Sequence, residues 1–148
     1  MASSSTCILV AILEDPHISC SAYIDTEESH DVRSTAETER IARAYFDAWT
    51  SRDTPKAAAT LADGFTFTAG DMTIEGAAAF LDTGAYPENA TTEMVAEAYQ
   101  GENAFQMYEA RAGDRNARIV EHLVVRGGAI QSSTFVTDMT AFMDLMGQ

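Results

Sequence analysis

Glu121 is the residue whose position in the sequence most strongly suggests chemistry. The segment 117–126, ARIVEHLVVR, alternates like a strand and places Ile119, Glu121, Leu123 and Val125 on one face. A carboxylate among aliphatic side chains is unfavourable unless it is paired, protonated or lining a cavity. If Glu121 is buried, its pKa should rise, and a neutral acid can donate a hydrogen bond or deliver a proton. A carboxylate on this apolar strand face therefore predicts a small-molecule pocket with Glu121 in its wall.

Three other side chains could act with Glu121. Tyr45 offers a hydroxyl donor on the inner stripe of a helix, and Asp71 could serve as a general base. His122 suits acid–base chemistry by type, but alternation turns it to the face opposite Glu121. Each has a structural alternative: Tyr45 as a packed aromatic, Asp71 as a turn residue after Gly70. For Glu121 the alternative is a salt bridge to Arg111 or Arg118, or a hydrogen bond to Tyr45 that only holds the fold.

The elements that must position these residues follow from periodicity and turn signals. Helices are predicted at 34–52, 55–61, 77–83 and 138–146, the first capped by Ser34 or Thr35. Strands are predicted at 65–68, 72–74, 92–100, 104–111, 117–126 and 130–137, with Gly127 and Gly128 as a tight turn. This order predicts an α+β fold, a curved antiparallel sheet wrapped around about three N-terminal helices as a cone-shaped α+β barrel. The hollow of such a cone would form an apolar pocket, and its candidate lining residues are Trp49, Phe65, Phe67, Phe105, Met107 and Leu123.

Residues 1–33 differ in character from the rest of the chain. Segments 7–13 and 18–24 could form a hairpin, Cys7 and Cys20 could pair, and 25–31 (DTEESHD) has the composition of an acidic linker. We therefore predict an N-terminal extension at 1–33 and one domain at 34–148. The extension is either poorly ordered or a hairpin that adds to a sheet edge.

Composition excludes several classes of function. The 148-residue chain carries a formal net charge of −14, which disfavours nucleic acids and anionic membrane surfaces as partners. No apolar run approaches the roughly 20 residues of a membrane span, and the N-terminus lacks a basic signal-peptide region, which predicts a cytoplasmic location. No spacing typical of metal ligands, no phosphate-binding glycine loop and no nucleophile motif is present, so we expect no metal and no cofactor.

Five segments resemble the nuclear transport factor 2-like superfamily, and within it the SnoaL-like polyketide cyclases and the ketosteroid isomerases. They are 43–53 (RAYFDAWTSRD), 61–65 (LADGF), 118–123 (RIVEHL), 126–130 (RGGAI) and 134–142 (TFVTDMTAF). The resemblance covers residues 35–147 and implies the cone-shaped fold. It also implies a homodimer through the outer face of the sheet, with Val120, His122 and Val124 as candidate contacts.

The isomerase pattern is only half present. The resemblance implies Tyr45 as the hydrogen-bond donor to the substrate oxygen and Glu121 as the protonated acid. The general base of that pattern falls on Ala69, so Asp71, two residues on, could serve only if the hairpin shifts. The epoxide-hydrolase pattern is absent, because Arg111 is followed by Ala112 and Gly113 and the last strand offers Phe135.

Two functions remain open. The first is a cofactor-free enzyme that performs proton transfer on a hydrophobic carbonyl compound, in an isomerisation, an aldol-type cyclisation or a dehydration. Tyr45 and Glu121 would stabilise the oxyanion, and Asp71 or a bound water would take the proton. The second is a non-catalytic ligand-binding or dimerisation module of the same fold, which the alanine at position 69 favours.

Overall fold

The structure is a computed structural model, and it describes residues 25–148. Its four helices are α1 Asp25–Thr50, α2 Thr54–Thr60, α3 Ala77–Leu81 and α4 Met139–Met146. Its six strands are β1 Leu61–Ala69, β2 Met72–Glu75, β3 Thr91–Gln100, β4 Asn103–Ala112, β5 Arg115–Arg126 and β6 Ala129–Thr137. The order of elements follows the prediction from periodicity. The proposed hairpin at 7–24, with Cys7 and Cys20, lies outside the described residues.

The strands form one curved sheet in the order β2-β1-β6-β5-β4-β3. The sheet curves around the helices without closing, which confirms the predicted cone-shaped α+β fold. One pair departs from the antiparallel order that was predicted, because β1 and β6 pair in parallel. The crossover between these distant segments runs through the whole β2–β5 region, and local sequence patterns do not report such a pairing.

Helix α1 begins earlier than predicted. Residues 25–31 are helical instead of forming a linker, and Ser34 and Thr35 lie inside the helix instead of capping it. Two threonines on α1 bind the β3–β4 turn: Thr35 Oγ1 accepts a hydrogen bond from the Gly101 N–H at 2.9 Å, and Thr38 Oγ1 donates to the Gly101 carbonyl at 2.6 Å. These hydroxyls fix α1 across the sheet.

The two faces of the sheet differ as strand alternation requires. On β5, Ala117, Ile119, Glu121, Leu123 and Val125 are all buried against the helices. Directly opposite Glu121 stand Gln106 of β4 on one side and Phe135 of β6 on the other. Glu121 thus lies in the middle of the concave face of the sheet, under α1.

The last helix, α4, crosses the concave side of the sheet. Asp138 caps its N-terminus by accepting hydrogen bonds from the Thr140 and Ala141 N–H groups at 3.0 and 3.2 Å, and Gly147 ends it with a left-handed φ of 79°. Its Phe142 and Met146 pack against the core. None of the helices in the described part of the chain is both long and apolar enough to span a bilayer.

Candidate active site

A cavity of about 290 Å³ opens between the concave face of the sheet and helices α1, α3 and α4. Half of the residues on its wall are aromatic, and three methionines, Met72, Met143 and Met146, contribute flexible side chains. Among residues 25–148, Glu121 is the only side chain with a formal charge on that wall, and no lysine, arginine or histidine of this range lines it. The cavity therefore suits an uncharged, largely apolar molecule.

Three hydroxyl groups donate hydrogen bonds to the Glu121 carboxyl group. Ser133 Oγ lies 2.6 Å and the Tyr45 hydroxyl 3.1 Å from Oε1, while the Tyr108 hydroxyl lies 3.1 Å from Oε2. The donors come from β6, α1 and β4, so three separate elements fix the orientation of one side chain. Glu121 itself is 2% exposed.

Burial raises the pKa of Glu121 above its usual value, and the hydrogen bonds from Ser133, Tyr108 and Tyr45 oppose that rise. None of the ion pairs within residues 25–148 includes Glu121. Arg111 and Arg118, which the sequence offered as salt-bridge partners, both pair with Glu109 on the exposed side of β4. The carboxyl group is therefore held by neutral donors alone, an environment in which a carboxylic acid can remain protonated at higher pH than usual.

The two tyrosines that bind Glu121 remain hydroxyls rather than phenolates. Burial raises the pKa of both Tyr45 and Tyr108 well above its usual value, and the nearby charge of Glu121 adds to the rise. They can accept or donate hydrogen bonds, but they do not lose a proton near neutral pH. Among the cavity-wall residues that the structure describes, Glu121 carries the one side-chain carboxyl group, and its pKa is raised.

Stacked rings form the part of the wall beside α1 and α3. Trp49 and Phe80 stack at 4.9 Å with an interplanar angle of 16°, and Phe67 stacks on Phe80 at 4.8 Å with an angle of 29°. Phe65 packs on the same Phe80 ring at 5.1 Å from beneath the wall. This arrangement offers a rigid apolar surface with its planes roughly aligned, which favours flat ligands.

Helix α4 and the loop before β3 complete the enclosure. Phe142 of α4 packs edge-on against Phe135 at 5.1 Å and against Tyr86 at 6.4 Å. Arg115 Nη1 donates to the Asp144 carbonyl at 2.7 Å and so ties the end of α4 to β5. The cavity is thus bounded by elements that are distant in sequence.

Four of the residues predicted from sequence meet in this cavity: Tyr45, Trp49, Phe67 and Glu121. Two others, Phe65 and Leu123, are fully buried but belong to the core around the cavity rather than to its wall. Both share a face with wall residues, so alternation alone could not separate the two groups.

Three further predictions are corrected by the strand geometry. Asp71 lies in the exposed turn between β1 and β2, outside the cavity wall, because the hairpin does not shift. Phe105, 46% exposed, and Met107 lie on the outer face of β4, because the even-numbered residues of this strand point inward. Phe105 stacks there on His122 at 4.5 Å, and His122 Nε2 lies 2.9 Å from Asn103 Oδ1.

The sequence reasoning missed three hydroxyl groups: those of Tyr86, Tyr108 and Ser133. The burial alternation of β4 would have turned Tyr108 inward, and pairing of β6 with β5 would have brought Ser133 near Glu121. Tyr86 lies in a loop and has no periodic signal. Among residues 25–148, no three His, Cys, Asp or Glu side chains come together as metal ligands would.

Comparisons with known proteins agree with this architecture. No family model matches the chain, and no curated protein matches it. Among solved structures, a ketosteroid isomerase-like protein from Kribbella flavida shares 25% identity at a TM-score of 0.67, over 71% of this chain and 80% of its own.

Two further solved structures are similar in fold alone. A SnoaL-like protein of the polyketide cyclase type from Jannaschia is 14% identical at a TM-score of 0.66, over 76% of this chain and 92% of its own. An LEH-like epoxide hydrolase from M. tuberculosis is 15% identical at a TM-score of 0.59, over 76% and 90% of the two chains. The structural neighbours are nuclear transport factor 2-like, ketosteroid isomerase-like and SnoaL-like proteins, which confirms the resemblance drawn from the sequence.

Proposed function

We propose that this protein is a cofactor-free enzyme that moves a proton on a hydrophobic carbonyl compound, with Glu121 as the acid–base group. The observation that carries the proposal is the position of Glu121: one buried carboxyl group, held by three hydroxyls, at the wall of a cavity that no other charged side chain of residues 25–148 lines. Ketosteroid isomerase-like and SnoaL-like neighbours support a catalytic fold of this kind.

The hydrogen bonds distinguish the two oxygens of Glu121. A carboxylate oxygen accepts about two hydrogen bonds. Oε1 already receives two, from Tyr45 and Ser133, whereas Oε2 receives one, from Tyr108. Oε2 therefore keeps one site for a proton or a ligand, and we assign proton exchange to that atom.

The reaction needs no second acid–base residue. Glu121 Oε2 removes a proton from the carbon next to the substrate carbonyl, and the electron pair of the broken C–H bond moves to the carbonyl oxygen as an enolate. The same Oε2–H then returns the proton to another carbon in an isomerisation. In a cyclisation the enolate carbon attacks a second carbonyl group, and the proton goes to the new alkoxide. A dehydration delivers it instead to a departing hydroxyl group.

This assignment differs from the one that the resemblance implies. In the isomerase pattern that the resemblance implies, Tyr45 and Glu121 donate hydrogen bonds to the substrate oxygen, and a separate base takes the proton. Position 69 carries alanine and Asp71 is exposed, so no second Asp or Glu side chain of the described residues lines the cavity. Glu121 can take the role of the base because the raised pKa makes its carboxylate more basic than usual.

Exchange of α-protons for deuterium tests the proposal. The wild-type protein in D2O should accelerate the exchange of 2-tetralone or related enolisable ketones above the buffer rate, as followed by proton NMR. The Glu121→Gln variant should lose about 100-fold or more of that acceleration. Glu88→Gln, a matched change on an exposed loop, should leave it unchanged.

Ligand occupancy can be measured separately in the same samples. Trp49 is the only tryptophan of the chain and lies in the cavity wall, so its fluorescence reports binding. Equal exchange in the wild-type protein and the Glu121→Gln variant, with both binding the ketone, would refute the proton-transfer role.

The second candidate is a non-catalytic ligand-binding module. The lack of a separate base on the cavity wall favours it. In that case the wild-type protein would quench Trp49 fluorescence on binding apolar ketones but would leave their α-protons at the buffer exchange rate. The exchange experiment therefore separates the two functions.

We also propose that the protein forms a homodimer through the outer face of the sheet. Four exposed apolar residues lie on that face: Val95, Phe105, Val120 and Val136. His122 and Val124 lie between them on β5 and are only partly exposed. An apolar surface of this kind is typical of a face that binds another protein surface, and a second copy would cover it symmetrically.

A further inference from the structure

Removal of a proton next to a carbonyl group leaves negative charge on the carbonyl oxygen, and that oxygen needs a hydrogen-bond donor. Three tyrosines line the cavity: Tyr45, Tyr86 and Tyr108. The hydroxyl hydrogens of Tyr45 and Tyr108 are directed at Glu121. Among the described tyrosines of the wall, Tyr86 alone makes no hydrogen bond to Glu121.

Tyr86 is buried, with 5% exposure, and its hydroxyl neighbours that of Tyr108. Burial raises the pKa of Tyr86, and the nearby charge of Glu121 adds to the rise. The phenol therefore stays protonated through the neutral range and can donate. Tyr108 binds Glu121 Oε2, the oxygen to which we assign proton exchange. The Tyr86 hydroxyl therefore lies near that oxygen.

The loop that carries Tyr86 is held at the next residue, Pro87. Arg52 Nη1, at the end of α1, donates to the Pro87 carbonyl at 3.1 Å, and the Ala90 N–H donates to the same carbonyl at 2.9 Å. Phe142 packs edge-on against the Tyr86 ring. A donor fixed in this way does not have to reorganise when charge develops on the substrate.

We propose that Tyr86 donates a hydrogen bond to the carbonyl oxygen of the substrate and thereby directs the neighbouring carbon towards Glu121 Oε2. This inference rests on the proposed function. It assigns the catalytic roles differently from the sequence prediction, because Glu121 moves the proton and Tyr86 stabilises the oxyanion. Because no Lys, Arg or His among the described residues lines the wall, the substrate is an uncharged ketone rather than a carboxylate or a phosphate ester.

A pair of ligands isolates the contact to the oxygen. 2-Tetralone and its hydrocarbon tetralin have almost the same shape and differ by the carbonyl group, so the ratio of their Kd values reports on the partner of that oxygen. The Tyr86→Phe variant should weaken the binding of 2-tetralone relative to tetralin by about threefold to tenfold, as expected for the loss of one neutral hydrogen bond. Tyr99→Phe, which removes a hydroxyl bound to Glu97 away from the cavity, should leave the ratio unchanged.

The vibration of the bound carbonyl group gives a second, independent readout. The C=O stretch of 2-tetralone should shift to lower frequency in the wild-type complex and return towards its position in an apolar solvent in the Tyr86→Phe complex. A merely structural role of Tyr86 would weaken both ligands equally and leave the stretch unchanged, which would overturn the proposal.

The test separates this inference from the proposed function. An unchanged Kd ratio in Tyr86→Phe, together with loss of exchange in Glu121→Gln, would refute the donor assignment and leave the proton-transfer role standing. A changed ratio without any exchange in the wild-type protein would support the Tyr86 contact as a binding interaction and refute the catalytic role of the cavity.

Discussion

At Glu121, burial and hydrogen bonding act on one carboxyl group in opposite directions. Burial favours the neutral acid, while the three hydroxyl donors favour the carboxylate, and burial prevails. The donors also remain useful in both states, because Oε1 can accept from Tyr45 and Ser133 whether or not Oε2 carries a proton. A residue balanced in this way can cycle between acid and base without rearranging its surroundings.

The raised pKa of Glu121 makes stability depend on pH. Between the usual value of 4.5 and the higher pKa in the folded protein, the folded state binds more protons than the unfolded state. The contribution of Glu121 is therefore fully present below the usual value and is lost as the pH rises through the folded-state pKa. Relative to Glu121→Gln, the wild-type protein should become less stable across this window, as measured by urea unfolding at several pH values. Parallel curves for the two proteins would contradict the assignment.

Ser133 tunes Glu121 without lining the cavity. Removing its hydroxyl in Ser133→Ala takes away a hydrogen bond that lowers the pKa of Glu121, so that pKa should rise further. The pH profile of α-proton exchange should move to higher pH by the same amount. The control is Ser132→Ala on the adjacent, oppositely directed position of β6, which should leave the profile where it is.

The sequence predicted the central residue of the site but not its partners. Alternation on β5 was sufficient to put Glu121 on the same face as Ile119 and Leu123, and all three are buried. Its partners on β4 and β6 depend on strand register, which is a tertiary property. Phe105 was misassigned for a related reason: hydrophobicity suggested an inward side chain, whereas the inward positions of β4 carry smaller or polar residues such as Ala104 and Gln106.

At the scale of elements, helix α4 closes one side of the cavity. Its N-cap, Asp138, stabilises the first turn of the helix and so holds Phe142 in the cavity wall. Asp138→Ala removes the N-cap hydrogen bonds to Thr140 and Ala141, which should cost about 1 kcal/mol of stability. Fraying of the first turn should also displace Phe142 and weaken the binding of 2-tetralone, as measured by Trp49 fluorescence.

The second N-cap aspartate of the fold provides the control. Asp53 caps α2 by accepting from the Lys56 N–H at 3.2 Å, and it lies outside the cavity wall. Asp53→Ala should lower the thermal unfolding midpoint but leave ketone affinity unchanged. Equal effects of the two variants on affinity would show that α4 has no special role in closing the cavity.

At the scale of the whole molecule, the order of helices and strands could be derived from local periodicity, because each element carries its own pattern. The parallel β1–β6 pair and the open edges β2 and β3 could not, since they depend on contacts between distant segments. Local patterns therefore do not give the long-range strand pairing. The resemblance of five short segments to the nuclear transport factor 2-like superfamily implied a curved sheet around helices, which local periodicity alone does not specify.

A substitution on the outer face of the sheet tests the proposed homodimer. Val136 is 60% exposed on that face, so Val136→Lys should leave the fold intact and convert a dimer into a monomer, as measured by light scattering at micromolar concentration. Val32, 65% exposed on α1, provides the matched change, and Val32→Lys should leave the molar mass unchanged. A wild-type protein that is already monomeric would refute the homodimer.

The measurement that tests the account most directly is a site-resolved titration of Glu121. Carbon-13 NMR of glutamate-labelled protein, with Glu121→Gln to assign the carboxyl signal, reports its pKa without reference to any substrate. We predict a pKa above the usual value of 4.5, raised further in Ser133→Ala. A normal or lowered pKa would mean a solvated or ion-paired carboxylate, and Glu121 could not then be the buried acid–base group of this cavity.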